Sequence, residues 1–178
     1  MRKRDWGRLI AGVALTAPAP FIVHAETYLT ELQAAAVLFP GIKLKASDVE
    51  LAREDMKAIE RSSGERVRSA RVRVLWGPER QALIVDQVLG KHEFITYAVA
   101  IAPEGKVQGV EIMDYRETYG YEIRREEWRR QFVGRSSANP LKLDKDIQNI
   151  SGATLSCSHV AGGVRRVLQT YEILKKKS

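Results

Sequence analysis

The residues best suited to chemistry lie in one segment near the carboxyl end of the chain, residues 146–158. This segment contains Ser151-Gly152-Ala153-Thr154 and lies directly before a region with helical periodicity. Backbone N–H groups at a helix start lack intrahelical partners and the helix dipole is positive there, so a phosphate beside the Thr154 hydroxyl would be stabilised. Gly152 and Ala153 leave that hydroxyl open to a phosphate, or to an enzyme that delivers one.

A second interpretation of the same segment is purely structural. Ser and Thr side chains in front of helices mostly satisfy backbone groups of the helix. Ser156 or Ser158 would then be the N-cap of a helix that begins near these residues. Composition alone favours this interpretation, so the choice between the two depends on motifs elsewhere in the chain.

Two separated motifs resemble one family. Residues 151–154 resemble the flavinylation motif of the FMN-binding domains in the C subunit of sodium-translocating NADH:quinone oxidoreductase, the G subunit of the Rnf complex and small periplasmic proteins. Residues 105–112 look like the family's strand, and residues 117–121 (Glu-Thr-Tyr-Gly-Tyr) look like its Glu-Thr-Pro-Gly loop. Three more positions agree with the family pattern: Trp128, Phe132 and Gly134. The resemblance covers roughly residues 94–168 and is specific because both motifs occur in order.

The resemblance implies FMN held by a phosphoester to Thr154 and attached by a dedicated flavin transferase that uses FAD and magnesium. It also implies further cofactor-binding residues beside Thr154 and in the loop: Ser151, Gly152, Ala153, Leu155, Ser156, Glu117, Thr118 and Gly120. The implied function is an electron carrier, not a stand-alone enzyme, between a membrane donor and a periplasmic or membrane acceptor such as a quinone-linked or haem protein. The alternative is a noncovalent flavin-binding or accessory module of a membrane redox complex, without its own redox turnover.

The chain departs from the family pattern at two positions. Gln148 stands three residues before Ser151, where the family often has an acid, and Asp146 is two positions further away. This departure concerns the covalent bond more than flavin binding. Tyr119 stands where the family has a proline, so the loop is less constrained, and the aromatic side chain could lie against the flavin ring.

Other candidate chemistry is weaker. Cys157 is better interpreted as a small buried residue than as a reactive thiol beside the phosphate. His92 and His159 with one cysteine have no metal-ligand spacing. Ser151 or Ser156 with His159 lacks the nucleophile elbow and the oriented acid of a hydrolase. Four aromatic residues could line a flavin ring or fill the core: Trp76, Tyr115, Tyr119 and Tyr121.

The amino end of the chain predicts a signal peptide, residues 1–25. It has a basic start, an apolar stretch over residues 9–23 and a small residue, Ala25, at the expected cleavage point. The protein would then be periplasmic, with an uncleaved membrane anchor as the alternative. Residues 1–25 hold four basic residues and one acidic residue of the net charge of +7, so residues 26–178 carry only +4. This modest, dispersed charge argues against a nucleic-acid surface.

The elements that must position the motif follow from periodicity. Capping-box spacing predicts one helix from Thr30 to Leu38 and a second from Ser47 to about Ser63. Strands are predicted around residues 72–74 and over residues 81–89, 94–102 and 106–113, with a hairpin turn at 103–105. A short helix carries Trp128 and Phe132, and a last helix carries a row of apolar residues inward: Val160, Val164, Val167, Leu168, Tyr171 and Leu174. The sequence therefore predicts a single α+β domain over residues 26–178, an antiparallel sheet flanked by helices.

Overall fold

The computed structural model describes residues 26–27 and 29–177, and the signal peptide predicted for residues 1–25 lies outside them. The described residues form an α+β domain around one six-stranded antiparallel sheet, which confirms the predicted fold class. The elements in chain order are β1 (Glu26–Thr27), α1 (Glu31–Leu38), β2 (Lys45–Glu50), α2 (Arg53–Ser63), β3 (Arg71–Trp76), β4 (Ala82–Leu89), β5 (Phe94–Ile101), β6 (Val107–Tyr115), α3 (Glu126–Arg129) and α4 (Thr154–Lys177). The strand order across the sheet is β1-β6-β5-β4-β3-β2.

Helices cover both faces of this sheet. Side chains alternate across each strand, so Ile84 and Val99 belong to a large core with α2 and α4. Leu83 and Ala98, their sequence neighbours, belong to a smaller core under α1. Thus β4 and β5 are buried on both faces, which gives α4 a rigid surface to pack against. The six inward-facing residues predicted for the last helix are all buried.

The predicted strands and the first helix are confirmed. Thr30 begins α1 with a capping box, in which its side chain and that of Gln33 each accept a backbone N–H bond from the other residue. The hairpin at residues 103–105 joins β5 to β6, with a hydrogen bond of 2.8 Å from the Ala102 N–H to the Lys106 carbonyl. The aromatic rings of Trp128 and Phe132 meet edge to face with centroids 5.2 Å apart, at α3 and the 3-10 turn that follows it.

The prediction that the second helix begins at Ser47 was wrong. Residues 45–50 form β2 instead, because they pair with the whole length of β3 from Lys45↔Trp76 to Glu50↔Arg71. The helix begins at Arg53, and the carboxylate of Asp55 accepts a hydrogen bond of 2.8 Å from the Ala52 N–H. The predicted end is correct, since Gly64 terminates α2 in the left-handed conformation.

The prediction that the last helix begins near Ser156 or Ser158 was also wrong. It begins at Thr154, because the Cys157 N–H donates to the Ala153 carbonyl over 2.9 Å and closes the first helical turn there. Thr154 is therefore in the first turn of α4, where N–H groups have no intrahelical partner. Among the described residues, no helix is both long enough and apolar enough to cross a membrane.

Candidate functional site

A cleft of about 650 Å³ opens where three segments meet. Its walls are the turn between β4 and β5 at residues 91–92, the loop after β6 at residues 117–122 and the start of α4 at residues 151–156. We call this opening the cleft. All nine residues that the resemblance named as cofactor-binding line it, although they come from two parts of the chain. The fold thus brings the two sequence motifs to one place.

The start of α4 presents an accessible hydroxyl to the cleft. Thr154 is exposed, and its Oγ1 accepts a hydrogen bond of 3.1 Å from the side-chain amide of Asn149. Ala153, directly before the helix, is buried and has no side-chain oxygen that could accept a hydrogen bond from the first N–H groups of the helix. Gly152 has φ +83°, a conformation that an L side chain rarely adopts, and it turns the chain into the helix. The segment therefore offers the cleft an exposed hydroxyl beside N–H groups of the first turn.

Gly120 joins the loop to the helix start. Its φ is +92°, and a Cβ on this residue would lie 2.6 Å from the Tyr115 Oη and 3.1 Å from the Ala153 Cβ. Both the backbone conformation and the lack of space require glycine here. The loop and the helix start consequently contact each other through backbone and small side chains.

Tyr115 ties the same two segments together below the cleft. Its hydroxyl donates to the Tyr119 carbonyl and lies 3.1 Å from the Ser156 Oγ. Burial raises the pKa of the Tyr115 phenol, although the hydrogen bond with Ser156 lowers it in part. The phenol therefore stays protonated and able to donate. Ser156 is buried and engaged with Tyr115, so its position depends on this tyrosine.

Glu117 fastens the third wall. Its carboxylate accepts hydrogen bonds from the backbone N–H groups of His92, at 2.6 Å, and Glu93, at 3.1 Å. A Cβ at Gly90 would lie 2.4 Å from this carboxylate, so a side chain there would displace it. Burial raises the pKa of Glu117, but the backbone hydrogen bonds outweigh burial and hold the pKa below its usual value. The Glu117 carboxylate thus fixes the β4–β5 turn.

Several side chains at the mouth of the cleft are exposed. Tyr119 is 79% exposed, Tyr121 55% and Leu155 48%, and Thr118 is exposed as well. Trp76, which the sequence also offered as a ring-lining residue, lies outside the cleft and packs against Tyr171 with centroids 6.0 Å apart. Of the four aromatic candidates, Tyr119 and Tyr121 are thus the two that line the cleft.

Sequence reasoning gave no role in this site to Lys91 and His92, which line the cleft from the β4–β5 turn. Both are exposed and bring positive charge or hydrogen-bond donors to the wall opposite α4. The turn has no recognisable motif, and its position depends on the hydrogen bonds to Glu117, which lies about 25 residues away. The local sequence feature that indicates a turn is Gly90, which follows the last residue of β4 and precedes Lys91 and His92.

Gln148 differs from the acid that the family pattern often has at this position, but its backbone is held by two hydrogen bonds. The Trp128 indole donates to the Gln148 carbonyl over 2.8 Å, and the Gln148 N–H donates to the Gln131 side chain over 2.7 Å. Asp146 does not line the cleft, and its carboxylate accepts a hydrogen bond from the Lys142 N–H. The approach to Ser151 is therefore held by Trp128 and Gln131, whatever side chain stands at position 148.

The remaining candidates, Cys157, Ser156 and His159, have structural contacts. Cys157 is fully buried in the main core, and burial raises the pKa of its thiol, as suits a small apolar residue. The Nδ1 of His159 contacts the Leu89 carbonyl, while Ser156 contacts Tyr115. Ser156 and His159 thus contact other groups in the part of the chain that the structure describes.

A model of a known protein family matches the part of the chain that forms the cleft. Residues 90–169 match the model of the FMN-binding domain. The match begins at the β4–β5 turn and ends within α4, so it includes all three walls of the cleft. No curated protein matches the chain.

Proposed function

Because residues 90–169 match the model of the FMN-binding domain, we propose that this protein carries FMN on a phosphoester to Thr154 and relays electrons between two partners. The observation that carries the proposal is the exposed Thr154 hydroxyl, in the first turn of α4 and in the same cleft as loop 117–122. One partner would be a membrane donor and the other a periplasmic or membrane acceptor, such as a quinone-linked or haem protein.

The residues of the cleft fit FMN. Its volume of about 650 Å³ lies within the range of small-molecule sites, roughly 300–1,000 Å³. The helix start supplies unpaired N–H groups and a positive dipole end for a phosphate. Gly120 and Ala153 keep the floor of the cleft free of larger side chains. Tyr119 and Tyr121 are exposed aromatic groups available to a planar ring.

FMN, when bound, supplies one-electron and two-electron chemistry. The protein's own residues hold and shield the group. Thr154 Oγ1 provides the ester oxygen, and the N–H groups of the first turn of α4 bind the phosphate charge. Lys91 and His92 place donors on the opposite wall, held there by Glu117.

The attachment reaction requires a flavin transferase to reach Thr154. FAD, with magnesium, would be the FMN donor. Thr154 Oγ1 would form a bond to the phosphorus of the FMN half, the bond from that phosphorus to the AMP half would break, and AMP and the hydroxyl proton would leave. The exposure of Thr154 supports this access, and the Asn149 amide orients the hydroxyl by donating to it. A covalent bond suits an exported carrier, because it prevents loss of FMN by dilution outside the cell.

The second candidate is a noncovalent flavin-binding or accessory module. The observation in its favour is Gln148, which replaces the acid that the family often has three residues before Ser151. In this case the same cleft would hold FMN without the ester, and Thr154 would contribute a hydrogen bond only. Flavin binding is thus common to the carrier and to the noncovalent flavin-binding module. The two differ in whether FMN is esterified to Thr154 and in whether the protein itself is reduced and oxidised.

Mass spectrometry of the denatured protein, after co-expression with a flavin transferase, separates the candidates. We expect a mass increase of one FMN less one water in the wild type and in Ser158→Ala, a control that removes an exposed hydroxyl of α4 outside the cleft. Thr154→Ala should show no increase while keeping the wild-type circular dichroism spectrum. An unmodified, colourless wild-type protein would overturn the carrier, and flavin that is present but released on denaturation would support the noncovalent module.

Electron relay has its own test. After reduction by dithionite and removal of the excess, the flavin-loaded protein should reduce a haem protein such as cytochrome c, and its flavin absorbance should recover in parallel. Unloaded Thr154→Ala protein should transfer nothing. A loaded protein that passes no electrons to any haem or quinone acceptor tested would contradict the relay while leaving flavin attachment intact.

A further inference from the structure

A second opening lies between β3 and β4, outside the cleft. These strands pair only from Val74↔Ile84 to Trp76↔Ala82, although β3 begins at Arg71 and β4 continues to Leu89. The gap between their unpaired halves is a cavity of about 460 Å³, which we call the slot. Residues from both faces of the sheet line it, including Glu31 of α1 and Arg166 of α4.

The strand edges along the slot are satisfied by side chains. The Ser69 hydroxyl accepts from the Arg71 N–H and donates to the Arg71 carbonyl, each over 3.0 Å. On the other edge, the Gln87 N–H donates to the Asp86 carboxylate and the Gln87 carbonyl accepts from Arg166. Backbone groups bonded in this way are not available to an added strand. The slot is therefore suited to a ligand bound by side chains and not to a peptide strand.

The floor of the slot is apolar. The apolar residues that line it are Leu51, Val67, Val72, Ile84, Val85, Phe94 and Val167. Phe94 is 46% exposed at the first residue of β5, so part of its ring is accessible to a ligand in the slot. This lining would bind the apolar body of a ligand.

The charges of the slot do not balance. Arg166 is 7% exposed and pairs with Asp86 at 2.7 Å, and Arg73 pairs with Glu31 at 2.9 Å. These two pairs neutralise the only two acids of the lining. Arg68 and Arg71 then remain, and among the described residues neither has a carboxylate within ion-pair distance.

The two remaining arginines lie where an anion could reach them. Both are exposed, and the Arg68 guanidinium lies 5.4 Å from the centroid of the Phe94 ring. Glu50 stands opposite Arg71 in the strand register without forming an ion pair. An anionic group at this position would gain charge-assisted hydrogen bonds from these two exposed arginine side chains.

We propose that the slot binds an organic anion with an apolar body, whose charged group lies at Arg68 and Arg71. The body packs against Phe94 and the apolar floor. The slot volume falls in the range of small-molecule sites, roughly 300–1,000 Å³, and such sites are mostly apolar with a few polar groups. A carboxylate and a phosphate ester have the same chemistry toward arginine, so a fatty acid and a lipid phosphate are both candidate sources. This site does not depend on the flavin proposal.

The test is a titration of the full folded chain with dodecanoate, below its critical micelle concentration, followed by ¹H–¹⁵N correlation spectra. We expect saturable shifts at the amides of Val85 and Phe94. The double variant Arg68→Gln/Arg71→Gln should raise Kd about tenfold or more, because two charge-assisted contacts are lost. The control Arg125→Gln, an exposed arginine outside the slot, should leave Kd within about twofold.

Further arms identify the ligand chemistry. Dodecyl phosphate in place of dodecanoate distinguishes the two sources by relative affinity, and either preference supports an anion site. Dodecyltrimethylammonium, with the same tail and the opposite charge, should not bind the slot. Equal binding of this cation, an unchanged Kd in the double variant, or shifts confined to residues 117–122 of the cleft would each overturn the proposal.

Discussion

The cleft and the slot both border the β4–β5 hairpin, but backbone groups form the walls of the first and side chains form the walls of the second. The cleft is shaped by backbone, with Gly120 and Gly152 at positive φ and with N–H groups of a helix start. The slot is shaped by side chains, with Arg166 donating to carbonyls and a carboxylate across the gap. A backbone-built site is sensitive to any added Cβ, whereas a side-chain-built site is sensitive to loss of charge partners.

The largest effect is expected from Arg166→Met, which should destabilise the fold by about 3 kcal/mol in urea unfolding. Removing one partner of a buried ion pair typically costs about 3–5 kcal/mol, and the lower end applies because the Asp86 side chain remains 28% exposed. The proposed covalent attachment of FMN should be unchanged, since Arg166 is outside the cleft.

Arg165→Met is the matched control for that variant. Arg165 is the next residue of α4, but its ion pair with Glu65 is more exposed, so we expect a loss of about 1 kcal/mol. Equal losses in the two variants would contradict a special role of Arg166 in closing the gap between β3 and β4. A loss of flavin attachment in folded Arg166→Met would contradict the separation of the two openings.

The next effect concerns the cleft. Gly120→Ala should cost about 2–3 kcal/mol, because it adds the strain of a left-handed backbone to a steric conflict with Tyr115 and Ala153. Gly134→Ala has a similar φ of +78° and nothing within 4 Å of the new Cβ, so it should cost only about 1 kcal/mol. Flavin attachment should fall in folded Gly120→Ala and stay normal in Gly134→Ala. Equal stability losses would show that the strain alone matters.

The two openings also differ in how far the sequence predicts them. The cleft motif is local: Ser151-Gly152-Ala153-Thr154 and the loop at 117–121 carry their own chemistry, and the fold had only to bring them together. Even there, the helix start was misplaced by two to four residues, because hydroxyl side chains at 156 and 158 look like N-caps while the Cys157 N–H selects Ala153.

The slot could not be predicted in this way. Its charge balance depends on residues far apart in the chain, such as Arg166 with Asp86 and Arg73 with Glu31. The strand β2 shows the same limit, because Ser47 to Glu50 has the spacing of a capping box. Its pairing with β3 overrides that local signal. Local motifs are therefore predictable where long-range pairing does not compete with them.

The smallest expected effect is a pH dependence of the folding stability. It comes from Glu117, whose carboxylate binds the cleft loop to the β4–β5 turn. The folded pKa of Glu117 is lowered, so its contribution to stability is present above its unfolded pKa of about 4.3 and is lost as pH falls through the folded pKa. At about pH 7, Glu117→Gln should be less stable than the wild type by about 1 kcal/mol, because backbone N–H groups lose a charged acceptor. This difference should shrink below about pH 4 in urea unfolding.

Asp55→Asn tests whether that acid-sensitive contribution belongs to the cleft. The hydrogen bond from Lys177 lowers the pKa of Asp55, so this carboxylate also loses its contribution in acid, but it lies on α2, away from the cleft. Flavin attachment should slow in Glu117→Gln, where the turn carrying Lys91 and His92 is released, and stay normal in Asp55→Asn. A stability difference for Glu117→Gln that persists undiminished to about pH 3 would mean that the glutamine loses packing and not charge, and the turn would then be held by shape alone.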